Sequence, residues 1–261
     1  MSPQFSFPED LKAPFNFGGT QGRALLIHGF TGIPNEVRPV ADVFGELGFA
    51  VSAPLLPGHG KDGAAINNTD HRQWANAVRT ALDTLPAQQP TVIAGVSMGA
   101  LLATCLAAAQ PVDALILIAP AFELFPDGKV GVALSKMGAH HLIPVLEKSE
   151  KGGDMVDGSA QQHNPNTSEI PVRALQELDH LRHLAIEALS NIRVPVFIAH
   201  GEKDRTIPAR ISVEVSERLV KAPEVTYHRF PASGHVLPLD LEQQSFKQAL
   251  RLFVKEAIRT P

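Results

Sequence analysis

The feature that most constrains the fold is the stretch 91–100. A short apolar run of β type, Val92-Ile93-Ala94, leads into Gly95-Val96-Ser97-Met98-Gly99, and an Ala/Leu-rich run with helical character, 100–109, follows at once. Strand, sharp turn and helix with serine at the apex is the context a nucleophile elbow requires. The turn presses the chain before the serine against the chain after it, so a Cβ at either glycine would clash. The serine sits in strained backbone and projects its Oγ from the sheet edge. The following helix aims its unpaired N–H groups and partial positive charge at the site, where an oxyanion would develop.

The remaining pattern sets the architecture. Strands are expected at 24–28, 49–53, 114–119, 194–200 and 225–230, with a short edge strand near 15–17. Helices are expected at 35–47, opened by Pro34 and closed by Gly48, and at 71–85, capped by Thr69 or Asp70, with Trp74, Val78 and Leu82 at helical spacing. Two more follow at 209–220 and 241–258. Apolar runs alternating with helical segments predict an α/β fold with a doubly wound, mostly parallel sheet. One interval breaks the rhythm: roughly seventy residues separate Pro120 from Val194, where a crossover needs far fewer. That interval carries helical patterns at 130–146 and 172–189 joined by a polar linker, 151–166. It reads as a helical cap insertion, 121–192, over the carboxyl ends of the strands, with 1–120 and 193–261 forming the core.

Composition excludes several classes. A hydrophobic fraction of 44% and a charged fraction of 19% over 261 residues describe a globular chain long enough for one sizeable domain. A net charge near −4 without a basic block argues against nucleic-acid binding. The single cysteine, Cys105, leaves no internal disulfide and reads as a small buried hydrophobe. The N-terminal residues lack the pattern of a signal peptide, and no apolar run is long enough for a membrane span, so a cytoplasmic enzyme, monomer or weak homo-oligomer, is expected.

A serine hydroxyl needs a base. Gly201-Glu202-Lys203-Asp204 follows the strand at 194–200, and Pro231-Ala232-Ser233-Gly234-His235 follows the strand at 225–230. Both loops lie at the carboxyl ends of strands, the same edge as Ser97. His235 is therefore the expected general base and Asp204 the acid that orients it, in preference to Glu202 or Asp240. His235 and Asp240 also match an H-x4-D acyltransferase spacing, which the triad explains better. The loop His28-Gly29-Phe30-Thr31-Gly32 should supply the second oxyanion donor, the Phe30 N–H beside that of Met98, with Gly29 allowing close approach of substrate. His28 reads as structural and Pro57-Gly58-His59-Gly60 as a tight turn. His140 and His141 are adjacent and cannot share a helix face. His180 and His183 have i,i+3 spacing without a supporting ligand pattern, so no metal site is expected. With no G-x-G-x-x-G and no Walker pattern, no nucleotide cofactor is expected either.

Together these motifs resemble the α/β-hydrolase superfamily, and more narrowly the bacterial carboxylesterase and monoacylglycerol lipase group. The matching pieces are His28-Gly29-Phe30-Thr31-Gly32, Pro57-Gly58-His59-Gly60, Gly95-Val96-Ser97-Met98-Gly99, Asp204, Ser233-Gly234-His235-Val236 through Leu239-Asp240, and the late cap stretch 172–178. The resemblance implies the α/β-hydrolase fold and cofactor-free hydrolysis of short- to medium-chain esters through a serine acyl-enzyme. Apolar residues near the elbow and cap, Phe122, Phe125, Met137 and Leu142 among them, are candidates for the acyl pocket. Thioester hydrolysis, C–C bond hydrolysis and acyl transfer on the same triad remain open, as does a non-catalytic binder of a small apolar ligand.

Overall fold

The computed structural model describes residues 6–124, 126–148 and 152–258. In chain order its strands are β1 (Phe15–Phe17), β2 (Gly22–Ile27), β3 (Phe49–Ala53), β4 (Thr91–Val96), β5 (Ala114–Ile118), β6 (Val145–Glu147), β7 (Glu169–Pro171), β8 (Val196–Gly201) and β9 (Val225–Phe230). Its α-helices are α1 (Arg38–Glu46), α2 (Gly63–Asn67), α3 (His71–Asp83), α4 (Met98–Ala109), α5 (Pro126–Lys136), α6 (Gly158–His163), α7 (Val172–Ala188), α8 (Ile211–Arg218) and α9 (Gln243–Ala257). Seven strands form one sheet in the order β1-β3-β2-β4-β5-β8-β9, with only β1 antiparallel to its neighbour.

Alternation along each strand builds two cores. Leu25, Ile27, Ile93, Leu115, Leu117, Val196 and Ile198 face α3, α4, α7 and α8, where Trp74, Leu101, Leu178 and Val215 meet them. Ala24, Leu26, Val92, Ala94, Ile116 and Ile118 face α1 and α9, where Phe44, Phe246 and Leu250 meet them. Strands buried on both faces read as continuous apolar runs, which is why the sequence located them.

Local chemistry sets the helix ends. Asp70 accepts from the Gln73 N–H while the Gln73 side chain accepts from the Asp70 N–H, a capping box that starts α3. The helix expected at 35–47 is instead a 3-10 turn, Pro34–Val37, followed by α1. Pro39 lacks the N–H that would continue a single helix through this point. The pattern at 130–146 is also not one helix: α5 ends before Gly138, which adopts φ +82°, and the chain re-extends after Pro144 as β6. β6 pairs with β7, a two-stranded antiparallel ribbon that the helical reading missed. Periodicity records which residues are apolar; the left-handed glycine and the proline decide where the helix stops.

The segment between β5 and β8 is held to the rest of the chain by polar contacts. The Glu169 carboxylate accepts from the Gly63 N–H at 2.6 Å, the Asn67 amide donates to the Pro144 carbonyl at 2.7 Å, and Arg173 donates to the carbonyls of Asn67 and Thr69. Among the described residues, no helix is long and apolar enough to cross a membrane.

Candidate active site

The elbow forms as its glycines require. A Cβ on Gly95 would lie 2.1 Å from the Gly99 carbonyl group, and one on Gly99 would lie 2.2 Å from the Ile27 carbonyl oxygen. These contacts are with backbone, which cannot swing aside. Ser97 itself has φ +55° and ψ −115°, a conformation that costs a side-chain-bearing residue roughly 1–3 kcal/mol. The hydrogen bond from its N–H to the Ile118 carbonyl, 2.9 Å, anchors the apex to the neighbouring strand. Met98 opens α4, so its N–H has no intrahelical acceptor.

The loops after β8 and β9 meet at Asp204. Its Oδ2 accepts from His235 Nδ1 at 2.7 Å and from His200 Nε2 at 2.9 Å, and its Oδ1 accepts the N–H groups of Thr206 and Ile207 at 2.8 and 2.7 Å. Burial alone would push this carboxyl up. The adjacent His235 and the bonds from both histidines outweigh burial and hold it well below the usual carboxylate range. For His235 burial disfavours the charged ring, but Asp204, with smaller contributions from Asp154 and Glu36, raises its pKa above 6.5. His200 Nδ1 in turn pairs with Ser212 Oγ at 2.7 Å, which fixes that ring to present Nε2–H to Asp204.

The loop after β2 closes as a turn in which the Gly32 N–H donates to the Gly29 carbonyl at 3.1 Å and Thr31 has φ +61°. Phe30 occupies the second position of this turn, whose N–H the turn bond does not use. A Cβ on Gly29 would stand 3.3 Å from Ser97 Cβ, so this loop passes directly beside Ser97. Beneath it lies Glu36, buried, accepting the Gly29 N–H at 3.1 Å. Burial raises its pKa, against the influence of Gly29, Lys148, His235 and Asn164. Lys148 donates to Thr31 Oγ1, and burial lowers its pKa to about 8. His28 is structural as expected: its Nδ1 pairs with the Gly29 carbonyl and its Nε2 accepts the Leu56 N–H, while burial lowers its pKa to about 3. His59 packs edge-on to His28, Phe30 and Trp74. Its Nε2 has no hydrogen-bond partner among the described residues.

The inserted segment reaches this site, which its composition as a polar linker did not signal. The Asp154 carbonyl accepts the Val236 N–H, and its carboxylate accepts from Arg205 and Thr206 in the Asp204 loop. Asp240 is fully engaged as a fastener. Its carboxylate accepts the N–H groups of Val156, Asp157, Gly234 and Leu241, tying the segment to the loop that carries His235. The Asp240 of the H-x4-D spacing thus accepts backbone N–H groups on both sides of the junction.

The residues expected at the acyl pocket disperse. Gly29 stays beside Ser97. Phe122 is buried and lines a cavity of about 580 Å³ with Leu124, Val132, Ile186 and Ile211, which neither Ser97 nor His235 lines. Met137 and Leu142 are 82% and 88% exposed, open to solvent instead of enclosing a substrate space. Phe125 lies outside the described residues. Apolar character suggested burial for the last three, but α5 ends at Lys136 and the chain turns at Gly138, leaving Met137 and Leu142 exposed.

Comparison with known proteins agrees with this architecture. The family model described as Serine aminopeptidase, S33 matches residues 19–242. A thermostable monoacylglycerol lipase of Bacillus sp. is 27% identical over 241 residues, covering 89% of this chain and 90% of that protein. A carboxylesterase of Bacillus subtilis is 23% identical over 248 residues, covering 93% and 96%. Among solved structures, the monoacylglycerol lipase of Paleococcus ferrophilus superposes with a TM-score of 0.79 at 18% identity, covering 94% of this chain and 98% of that one.

Proposed function

We propose that this chain, which belongs to the Serine aminopeptidase, S33 family and is an ester hydrolase of the α/β-hydrolase fold, cleaves short- to medium-chain carboxylic esters or monoacylglycerols with Ser97, His235 and Asp204. The observation that carries the reading is the Asp204 carboxylate, buried and paired at 2.7 Å with His235, on the sheet edge where the elbow presents Ser97. In this reading Ser97 Oγ attacks the ester carbonyl as His235 Nε2 takes its proton. Asp204 keeps the Nδ1–H tautomer and stabilises the imidazolium without itself taking a proton. The N–H groups of Phe30 and Met98 hold the tetrahedral oxyanion, each worth about 2.7–4 kcal/mol in the barrier. The imidazolium then protonates the leaving alcohol. Water, deprotonated by the same ring, attacks the acyl-enzyme and releases the acid.

The segment 121–192 acts in this reading as a cap, with 1–120 and 193–261 as the core. Its support is the set of bonds from Asp154, Val156, Asp157 and Lys148 to the loops around the proposed site. The resident in the acyl site is expected to touch Gly29 and Phe30; Met137 and Leu142 have no part in it as placed.

The test is release of p-nitrophenol from acetate, butyrate, octanoate and palmitate esters, beside an aminoacyl p-nitroanilide, by wild type and Ser97→Ala. Turnover that peaks at the shorter esters and disappears in the folded variant is expected. Cleavage of the anilide alone would reassign the enzyme to peptide bonds, and activity persisting in Ser97→Ala would remove the serine from the mechanism.

A further inference from the structure

Outside the Ser97, His235 and Asp204 set, three metal-type donors converge that are far apart in sequence. His71 stands at the start of α3, and Glu177 and His180 stand one turn apart on α7. His71 Nδ1 lies 2.7 Å from Glu177 Oε2, and His180 Nδ1 lies 4.0 Å from the same oxygen. All three donor atoms lie within 4.8 Å of one another. The sequence pairs His180 with His183, but His183 Nδ1 turns instead to the Asp179 carbonyl at 2.7 Å.

Two imidazoles and one carboxylate form a donor set suited to Zn2+, Ni2+ or Cu2+ and unsuited to Mg2+ or Ca2+, which favour all-oxygen shells. With bonds to Zn2+ of about 2.0–2.2 Å, ligand atoms around a tetrahedral ion lie roughly 3.3 Å apart. The observed spacings bracket that value: His71 and Glu177 sit closer, as a hydrogen-bonded pair, and His180 sits farther. Its side chain is 49% exposed, so its ring can turn inward without disturbing a core. The side chains of His71 and Glu177 are only 18% and 15% exposed and already locked together. Arg173 approaches the other carboxylate oxygen, Oε1, at 3.6 Å, leaving Oε2 facing the histidines.

We propose that His71, Glu177 and His180 bind one divalent transition-metal ion, of which Zn2+ is the expected occupant, with solvent completing the shell. Binding replaces the His71–Glu177 contact with bonds from both side chains to the ion. The ion would link α3 of the core to α7 of the inserted segment, and α7 packs on the side of the sheet that also holds α4. Occupancy would therefore clamp the insertion to the core through α3, the helix whose Trp74 packs against Phe30.

The test begins with the full chain stripped by EDTA and titrated with Co2+ and Zn2+. One ion per chain is expected, with Co2+ producing visible d–d absorption and Zn2+ displacing it. At a Zn2+ concentration about 100 times its Kd, Tm should rise by roughly 5–10 °C. His180→Ala, a half-exposed position whose truncation leaves the core intact, should weaken binding at least tenfold and remove the Tm rise. His71→Ala should do the same if it folds. The paired replacement His140→Ala with His141→Ala should leave binding unchanged. Absence of stoichiometric binding, equal affinity in wild type and His180→Ala, or loss of binding in the His140 and His141 variant would each overturn the proposal, the last two as adventitious binding to other histidines.

Discussion

Replacing Asp204 by Asn isolates what the buried carboxylate does. Its two oxygens accept four donors: two backbone N–H groups at Oδ1 and two imidazoles at Oδ2. An asparagine must turn its oxygen toward Thr206 and Ile207, because its NH2 would otherwise face their N–H groups. The NH2 then faces His235 Nδ1, which in the working tautomer is itself a donor. The ring escapes that clash by moving its proton to Nε2, so the nitrogen proposed as base becomes a donor. The steric outline is unchanged, and the expected loss is about a thousand- to ten-thousand-fold in kcat/KM, roughly 4–5.5 kcal/mol of transition-state stabilisation. The pH profile supplies a second reading. Asp204 is the largest favourable influence on the His235 pKa, so the wild-type acid limb of kcat/KM should lie above 6.5 and the residual activity of the variant should have its limb at lower pH. The assay is p-nitrophenyl butyrate hydrolysis between pH 5 and 9, with circular dichroism to show that the variant is folded. Activity within tenfold of wild type, or an unmoved acid limb, would refute the assigned role.

Asp240→Ala removes the acceptor of the Val156 and Asp157 N–H groups of the inserted segment, the Gly234 N–H of the His235 loop and its own neighbour's Leu241 N–H, and should cost about 3–5 kcal/mol, a fall in Tm of roughly 10 °C by calorimetry. A change below about 1 kcal/mol would show that water replaces the carboxylate. Burial depresses His59 to about 4 and His28 to about 3. Between those values and 6.5 the unfolded chain binds more protons than the folded one, so stability rises with pH across that window and is lost as pH falls through it. His59 alone should account for about 3 kcal/mol between pH 6.5 and 4, and His59→Phe should flatten the decline in Tm over that range. Equal slopes for the two proteins would contradict the assignment.

Much of this protein is readable along the chain because its information is local. The elbow depends on Gly95 and Gly99 around Ser97, and the strands on apolar runs that must be buried on both faces. Asp204 and His235 are legible as candidates because each lies in a loop directly after a strand of a sheet whose edge the elbow already defines. The misread elements were also local, but there two signals competed. Gly138 and Pro144 broke a helical pattern, and Pro39 divided what had looked like one helix.

Tertiary structure decided which distant groups share a buried space. Glu36 under the Gly29–Gly32 turn, His200 behind Asp204, Lys148 on Thr31 and Asp154 against Arg205 are polar residues without a distinguishing motif. Each matters only because burial in a low-dielectric interior obliges a charge or dipole to find a partner, and the partner is supplied by the fold. The same holds for His71, Glu177 and His180, brought together across about a hundred residues by the packing of α7 beside α3. The sequence alone determined the serine, the order of the residues proposed to activate it and the sheet that carries them. The surroundings of those residues, and where the apolar side chains of the insertion came to rest, followed only from closure of the chain, because composition states that a side chain prefers burial and not which surface will cover it.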